Sequence, residues 1–275
     1  MESAELASPR AEEALPRGSP LANHAVQGVA LKVGSAVLLL VVWWLASLTL
    51  PQSILPGPLV TFQTLWQNFE RGLLLPQLGI TMLRVAAGFV LAMTLGITIG
   101  TLMGLYWKAE ATLDLWVMVA LTVPGLCYII VSFMWFGLNE FAAIFAIAVA
   151  SFPSIAINVW EGVKNVDNRL ADMARVFKAS RRMRLTRVIL PQILPYIMAA
   201  SRFGLGTIWK VTVLVELLGR SSGVGYQLHY WFQLYNMPQV FAWTLFFTLI
   251  MLFLELVVLK QAERRLFAWR PSVKF

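Results

Sequence analysis

The sequence predicts an all-α membrane protein with about six transmembrane helices. Of its 275 residues, 59% are hydrophobic and only 13% are charged. Soluble domains carry roughly 25% charged residues, so a soluble fold of this composition would lack polar surface. Long apolar runs recur along the chain, and most Lys and Arg residues fall in two blocks beside them. This basic bias, with a net charge of +8, is typical of membrane orientation, and no nucleic-acid partner is expected.

Six apolar runs are suited to helices that cross a bilayer, which takes about 20 residues. These predicted spans are residues 33–50, 85–107, 115–139, 141–160, 193–218 and 239–259. After the turn signal Pro56-Gly57-Pro58, residues 61–69 carry apolar side chains at helical spacing, which predicts a short helix on the membrane surface. Residues 219–238 form a polar, Gly-containing connection.

The two ends of the chain are expected to lie outside the membrane domain. Residues 1–27 are acidic and rich in Ala and Pro, whereas a signal peptide begins with basic residues. We expect them to form a disordered cytoplasmic tail. Residues 28–271 then form one transmembrane domain with a cytoplasmic loop at residues 161–191, and residues 272–275 are a C-terminal tail.

Two of the predicted spans contain small or helix-breaking residues. In span two a small residue recurs every four positions, which permits close contact with another helix of the same chain, the favoured interpretation, or of a second subunit. These residues are Gly88, Ala92, Gly96, Gly100 and Gly104. Span three is interrupted by Pro124-Gly125, which is either a simple kink or a break that lines a cavity.

The distribution of basic residues predicts the orientation of the spans. With both termini in the cytoplasm, the outer segments hold only Arg71 and Arg220, and the inner segments hold most of the other Lys and Arg residues. The positive-inside rule favours this arrangement. It places residues 161–191, which include eight basic residues, in the cytoplasm.

A motif in this cytoplasmic loop indicates a family. Asp172-Met173-Ala174 begins it and Val188-Ile189-Leu190-Pro191 ends it. The pattern resembles the signature of ABC importer permeases, which has an acidic residue and two alanines, a glycine four positions later, and an Ile/Val-x-Leu-Pro ending. Lys178 stands where the family has that glycine. Lys178 must therefore adopt the positive φ that glycine tolerates, or the turn differs here.

The resemblance extends over roughly residues 55–271 and is strongest to permeases of nitrate, taurine and aliphatic sulfonates. The matching pieces are Leu55-Pro56-Gly57-Pro58, Trp135-Phe136-Gly137, Trp209-Lys210, Glu216 and Ser222-Gly223-Val224-Gly225-Tyr226. The resemblance implies the type I ABC importer permease fold, located in the bacterial cytoplasmic (inner) membrane.

The resemblance also implies a mechanical role for the loop, which in such importers folds as a short coupling helix in a groove of a cytoplasmic ATPase. Met173, Val176 and Phe177 would enter the groove, and the basic side chains would meet its rim. The docking residues expected on this basis are Asp172, Met173, Ala174, Arg175, Val176, Phe177, Lys178, Arg181 and Arg182.

Several partners follow from the resemblance. The chain has no G-x-x-x-x-G-K-[S/T] loop, so it is not expected to be catalytic by itself or to hold a cofactor. A separate ATPase dimer would bind ATP and Mg. A second permease copy, identical or paralogous, an external substrate-binding protein and membrane lipid are the other expected partners. The residue types do not fit a membrane enzyme. The alternative function is a stand-alone channel or ion-coupled carrier. Such a protein would not require the loop motif, because it works without an ATPase.

Candidate pathway residues are the ionisable and aromatic side chains in the spans. Lys210 and Arg202 are suited to attracting an anion, although pairing of Arg84 and Arg202 with Glu255 or Glu216 is favoured for the two arginines. The full candidate set is Tyr128, Met134, Trp135, Trp209, Lys210 and Glu216. For the side chains of span three, ordinary core packing is the favoured interpretation. Similar permeases carry sulfonates, taurine, nitrate, bicarbonate or pyrimidine precursors, and an external binding protein sets most of the selectivity.

Overall fold

The architecture is described from a computed structural model of the chain. The structure describes residues 20–259 and residue 261. Side chains are described within this range except for residues 20–29 and a further seven, which are Asn168, Ala171, Arg175, Arg181, Leu185, Val258 and Leu259. The predicted tail at residues 272–275 and residues 1–19 of the N-terminal tail lie outside the described residues.

The described residues are helical and include no strand, which confirms the all-α prediction. The helices are α1 (Pro20–Thr49), α2 (Pro58–Glu70), α3 (Leu74–Leu105), α4 (Trp107–Thr122), α5 (Gly125–Phe136), α6 (Glu140–Lys164), α7 (Asn168–Val176), α8 (Arg181–Arg184), α9 (Leu190–Gly219), α10 (Val224–Gln233) and α11 (Met237–Phe253). Two π-helical segments, Leu185–Ile189 and Leu254–Leu259, precede α9 and follow α11.

The chain divides into two compact units, Met1–Pro58 and Leu59–Phe275. The first contains α1, which begins at Pro20. Helical structure therefore reaches into the segment that the sequence predicts to be a disordered tail. After α1 the chain turns back, and the indole Nε1 of Trp43 donates a hydrogen bond to the carbonyl oxygen of Pro56 at 3.1 Å.

The number of spans agrees with the prediction. Five helical segments are long and apolar enough to cross a membrane, and the α4–α5 pair gives a sixth when it is taken as one element. The five are Ala30–Thr49, Leu74–Leu105, Glu140–Lys164, Arg182–Gly219 and Met237–Val257.

The break at Pro124 is a sharp corner, because α4 and α5 meet at 96°. Proline has no N–H to donate and disfavours helical backbone in the residue before it. Val123 is accordingly extended, with φ −68° and ψ 126°. The span predicted at residues 115–139 is therefore two helices and not one kinked helix.

Helix α3 begins at Leu74, well before the predicted start of span two at residue 85. The sequence places the boundary next to Arg84 because an unpaired charge is costly inside a membrane. In the structure Arg84 is only 2% exposed and pairs with two carboxylates. Its charge is therefore compensated within the protein, and the helix continues through it.

The small residues of α3 form a seam against α6. A side chain at Gly88 would overlap Ile147, one at Gly96 would overlap Ile155, and one at Gly104 would overlap Val163. Ala92 is fully buried in the same core. The repeat thus serves packing inside the chain, as the sequence favours, and lets two long helices approach closely.

We expect Gly100→Ala to lower the free energy of unfolding by about 1–3 kcal/mol, the usual cost of overpacking a core. The added Cβ would lie 2.9 Å from Cβ of Val159 and still closer to the carbonyl oxygen of Ala156. Gly79→Ala is the matched control, since Gly79 lies on the same helix with nothing within 4 Å of its added Cβ. Thermal unfolding of both purified variants in detergent measures the difference. Equal melting temperatures would contradict the seam.

Candidate functional site

The loop predicted to be cytoplasmic folds as helix α7 and is fastened to the start of α9. The backbone N–H of Asp167 donates to Oε1 of Gln192 at 2.8 Å. The carboxylate of Asp167 in turn accepts the backbone N–H of Arg169 at 2.8 Å, which caps the start of α7. The position of α7 is thus tied to the first turn of α9.

The end of α7 is closed by the residue that replaces the family glycine. The N–H of Ala179 donates to the carbonyl oxygen of Ala174 at 2.9 Å, and Lys178 has φ 52°. This is the hydrogen bond of a Schellman motif with Lys178 at its left-handed position. Lys178 therefore adopts the glycine-like conformation, at a cost of roughly 1–2 kcal/mol for an L-residue.

One face of α7 is apolar and exposed. Val176 and Phe177 are 80% and 76% exposed, and Met173 is also exposed, whereas Ala174 is buried. Lys178 and Arg182 are exposed nearby. Asp172 is exposed and engaged in an interaction. The side chains of the other two expected docking residues, Arg175 and Arg181, lie outside the described set.

The chain from α8 to α9 runs without an intervening loop. The π-helical segment Leu185–Ile189 connects them, and Arg182–Gly219 forms one continuous helical segment. Pro191 and Pro195 lie in the first turns of α9. Helix α7 is therefore connected to α9 both through this helical segment and through the Asp167–Gln192 bond.

At the end of α9 remote from α7, here called the distal end, Arg84 joins three parts of the fold. Its Nε and one terminal nitrogen donate to the two oxygens of Glu140 at 2.8 and 2.7 Å. The terminal nitrogens also donate to Glu216 at 2.8 Å and to the carbonyl and hydroxyl oxygens of Ser222 at 2.7 and 2.9 Å. The guanidinium thus uses all five of its N–H donors to connect α3, α6 and α9 with the residues before α10.

Glu216 holds the start of α10, a helix that the sequence does not predict within the connection at residues 219–238. The N–H groups of residues 223, 224 and 225 donate to Gln77, Thr81 and Glu216, in that order, at 2.6, 2.9 and 2.9 Å. A side chain at Gly223, whose φ is 104°, would overlap the Glu216 carboxylate. Both the glycine and the glutamate of the sequence motif are needed for this junction. Glu216 is fully buried in this junction.

The other pathway candidates lie on α5 and α9, which run side by side. Lys210 is exposed on α9, and its neighbour Trp209 is buried against Phe247, with ring centroids 5.7 Å apart. Met134 and Trp135 are exposed on α5. These aromatic and apolar side chains of α5 are therefore not core residues within the described chain.

Two further candidates make local contacts. The Tyr128 hydroxyl donates to the carbonyl oxygen of Ala120 at 2.8 Å, across the corner between α4 and α5. Arg202 lies 3.9 Å from Glu255, and both side chains are more than half exposed. The structure thus contains both ion pairs that the sequence favours for the arginines, Arg84 with Glu216 and Arg202 with Glu255.

Residues 92–264 match the model of a family described as the inner membrane component of binding-protein-dependent transport systems. This chain belongs to that family of ABC importer permeases. The chain is accordingly a transport permease and not an ATPase.

Named relatives match most of the permease. It is 32% identical over 248 residues to a probable ABC transporter permease protein of Brucella abortus (strain 2308), covering 90% of this chain and 98% of the relative. It is 34% identical over 220 residues to a putative aliphatic sulfonates transport permease protein of Bacillus subtilis (strain 168), covering 80% and 79%. It is 32% identical over 253 residues to the taurine transport system permease protein of Escherichia coli (strain K12), covering 90% and 92%.

Solved structures share the fold of the permease. The crystal structure of an amino acid ABC transporter matches with a TM-score of 0.58 at 20% identity, over 73% of this chain and 97% of that one. An inward-facing MetNI methionine ABC transporter matches with a TM-score of 0.57 at 18% identity, over 70% and 93%. The predicted type I ABC importer permease fold is confirmed.

The sequence misses one important residue of the permease, Glu140. It lies only three residues after the Trp135-Phe136-Gly137 motif and just before a span. In the sequence it therefore resembles an ordinary solvent-exposed acidic residue at the start of a helix. In the structure it receives Arg84 on both oxygens and is also paired with Arg220. The available signal in the sequence is Arg84 itself, a charge beside a long apolar run, whose five N–H donors need several acceptors.

Proposed function

We propose that this permease forms half of the pathway for a small anion and is driven by a cytoplasmic ATPase that docks on α7. The observation that carries the proposal is the exposed apolar face of α7, fastened to α9 through Gln192. A nine-residue helix is too short to be stable alone in water. Exposure of the large apolar side chains of Val176 and of the following Phe177 to water is unfavourable, so a partner that covers them would stabilise α7. Lys178 and Arg182 would meet a polar rim of that partner.

The geometry supports a mechanism in which α7 transmits motion. The ATPase dimer binds ATP and Mg, and its closure displaces α7. The displacement passes through the Asp167–Gln192 bond and the continuous segment Arg182–Gly219 to α9. At the distal end the Arg84 network ties α9 to α3 and α6, so these helices tilt as one body and switch access between the two sides of the membrane.

Lys210 is the candidate pathway residue whose charge supports the proposal of an anionic substrate. An ammonium at membrane depth is costly unless it faces protein or water. Lys210 is exposed on α9 and makes no ion pair among the described residues, so it faces either a second permease copy or the solute path. A cation there suits a sulfonate, taurine or a similar anion, which agrees with the printed names of two relatives.

Two copies of the permease complete the pathway in this proposal, since two ATPase subunits offer two docking grooves. Met134, Trp135 and Tyr128 on α5 then line the apolar part of the path beside α9, and Trp209 positions Lys210 by packing against Phe247. An external binding protein delivers the anion at the distal end. That end is the outer side, with both termini in the cytoplasm of a bacterial inner membrane.

Uptake by Lys210→Met tests this function. In proteoliposomes that contain the permease with the ATPase and binding protein that co-purify with it, we expect ATP-dependent uptake of taurine or methanesulfonate to fall at least tenfold. The reason is the loss of a charge-assisted contact, worth about 1.5–3 kcal/mol. Lys108→Met, at the α7 end of α4, is the matched control and should transport normally. Uptake in the absence of ATP would favour the channel, and wild-type uptake by Lys210→Met would remove Lys210 from the pathway.

A further inference from the structure

One row of residues on α9 is exposed in the chain and carries a glycine between two cations. Residues at every fourth position lie on nearly the same face of a helix. Arg202, Gly206, Lys210 and Leu214 have this spacing, and all four are exposed. At a rise of 1.5 Å per residue, Gly206 lies about 24 Å from the start of α9 and about 20 Å from its end. The row therefore lies well inside the span.

Packing inside the chain does not account for this glycine. A side chain at Gly204, on another face of α9, would come within 2.9 Å of Ile155, and one at Gly219 would overlap Phe133. A Cβ at Gly206 would meet nothing within 4 Å. Glycine weakens a helix relative to alanine, and no contact among the described residues requires that weakness here. The space above Gly206 is open.

The charge of Lys210 restricts what can occupy this space. Its ammonium makes no ion pair among the described residues, whereas Arg202 lies 3.9 Å from Glu255. Lipid chains are a poor occupant, because a charge that faces hydrocarbon well inside the bilayer is costly.

A second permease copy is also a poor occupant if it packs directly on the row. Two copies related by a two-fold axis present the same surface to each other and cross the membrane in the same direction. Close packing of the row on itself would therefore bring two uncompensated ammonium groups together at one depth, which is unfavourable. An anion beside Lys210 would remove that repulsion.

We infer that Gly206 is a specificity-determining position, whose missing side chain leaves room beside Lys210 for the apolar part of a small organic anion. The inference rests on the proposed function for the direction and energy source of transport, but contact with the anion requires neither ATP nor the ATPase. Lys210 holds the anionic group, and the exposed side chains of Phe203 and Leu214 lie on the same side of α9 and suit the carbon atoms of the solute. A side chain at position 206 would take up part of that space and lower the size limit.

Thiol labelling of Gly206→Cys tests contact with the anion, in a Cys127→Ser background because Cys127 is exposed. The full-length permease in phosphatidylcholine nanodiscs is labelled with 2-sulfonatoethyl methanethiosulfonate, and we expect saturating methanesulfonate to slow this reaction at least tenfold. Gly79→Cys in the same background is the matched control, since Gly79 is an exposed helical glycine with nothing within 4 Å of its added Cβ. Its labelling should not change. Addition of Lys210→Met should remove the protection at position 206.

The size limit is tested by ATP-dependent uptake into proteoliposomes that contain the permease with its co-purifying ATPase and binding protein. We expect Gly206→Val to lower the uptake of butanesulfonate relative to methanesulfonate at least tenfold, because one methylene in an apolar pocket changes discrimination by about 10–200-fold. Gly79→Val should leave the ratio unchanged. The two variants should melt at similar temperatures in detergent, since neither added Cβ meets a neighbour.

Three outcomes would overturn the inference. One is equal protection, or none, at positions 206 and 79, and another is an unchanged uptake ratio in Gly206→Val. The third is a disulfide between two copies of Gly206→Cys, because it needs Cα atoms about 4.4–6.8 Å apart and would mean that the second copy covers the space. Protection at position 206 without ATP-dependent uptake by the wild type would support the anion contact and contradict the proposed function. ATP-dependent uptake without protection would do the reverse.

Discussion

Arg84→Met is expected to lower the free energy of unfolding by about 3–5 kcal/mol, the cost of leaving a buried charge without its partner. The substitution removes five hydrogen bonds and strands Glu216, which is fully buried. It also removes the contacts that hold Ser222, just before α10, since this residue loses both of its bonds to the guanidinium. We expect poor accumulation in the membrane and a much lower melting temperature in detergent.

Arg202→Met is the matched control for this prediction. Its partner Glu255 lies 3.9 Å away, beyond hydrogen-bonding distance, and both side chains are more than half exposed, so the substitution leaves no fully buried charge without its partner. The double variant Arg84→Met/Glu216→Met should recover part of the lost stability, because it removes the stranded carboxylate as well. If both arginine variants lost the same stability, the distal network would not hold the helices together.

Phe177→Asp is expected to abolish capture of the ATPase while leaving the permease folded. Phe177 is 76% exposed, so its replacement disturbs little within the chain. In the complex the change removes a buried aromatic side chain, worth about 1.5–3 kcal/mol, and adds an unpaired carboxylate. Affinity should fall more than tenfold, measured by co-purification and by titration with the ATPase that the wild type retains.

Two companion variants make this experiment specific. Phe232→Asp carries the same substitution on an exposed phenylalanine of α10 at the distal end, and should bind the ATPase normally. Lys178→Gly relieves the left-handed conformation that closes α7 and should couple at least as well as the wild type. Normal ATPase binding by Phe177→Asp would mean that α7 is not the docking element. Its loss in Lys178→Gly would mean that docking needs the Lys178 side chain and that relief of the turn does not improve coupling.

The helical spans follow from the sequence because composition and length decide them. The structure departs from the sequence where a distant side chain determines the local conformation. Arg84 does not mark the start of α3, as the sequence suggests, because carboxylates from α6 and α9 neutralise its charge. Helix α10 begins within a polar connection because Gln77 and Thr81, far back in the chain, accept its first N–H groups. No local pattern contains that information.

The exposed apolar face of α7 was more accessible to prediction than the distal Arg84 network. The exposed residues Met173, Val176 and Phe177 belong to a short contiguous motif, so their spacing along the chain survives in the structure. The distal network instead combines residues from α3, α6 and α9. In the sequence, Arg220 is an isolated basic residue in a connection predicted to lie outside. Its role depends on Glu140, which lies 80 residues earlier.

The Arg84 network can be completed only late in the synthesis of the chain. Ser222 is separated from Arg84 by 138 positions, and Glu216 by 132. At a synthesis rate of about 5–20 residues per second, roughly 7–28 s pass between the translation of Arg84 and that of Ser222. If α3 enters the bilayer during that interval, its guanidinium is incompletely paired, which costs up to about 2.5–3.5 kcal/mol, the value for a charge at the helix centre. The 32-residue apolar length of α3 offsets this cost, so its hydrophobicity serves biogenesis as well as the finished fold.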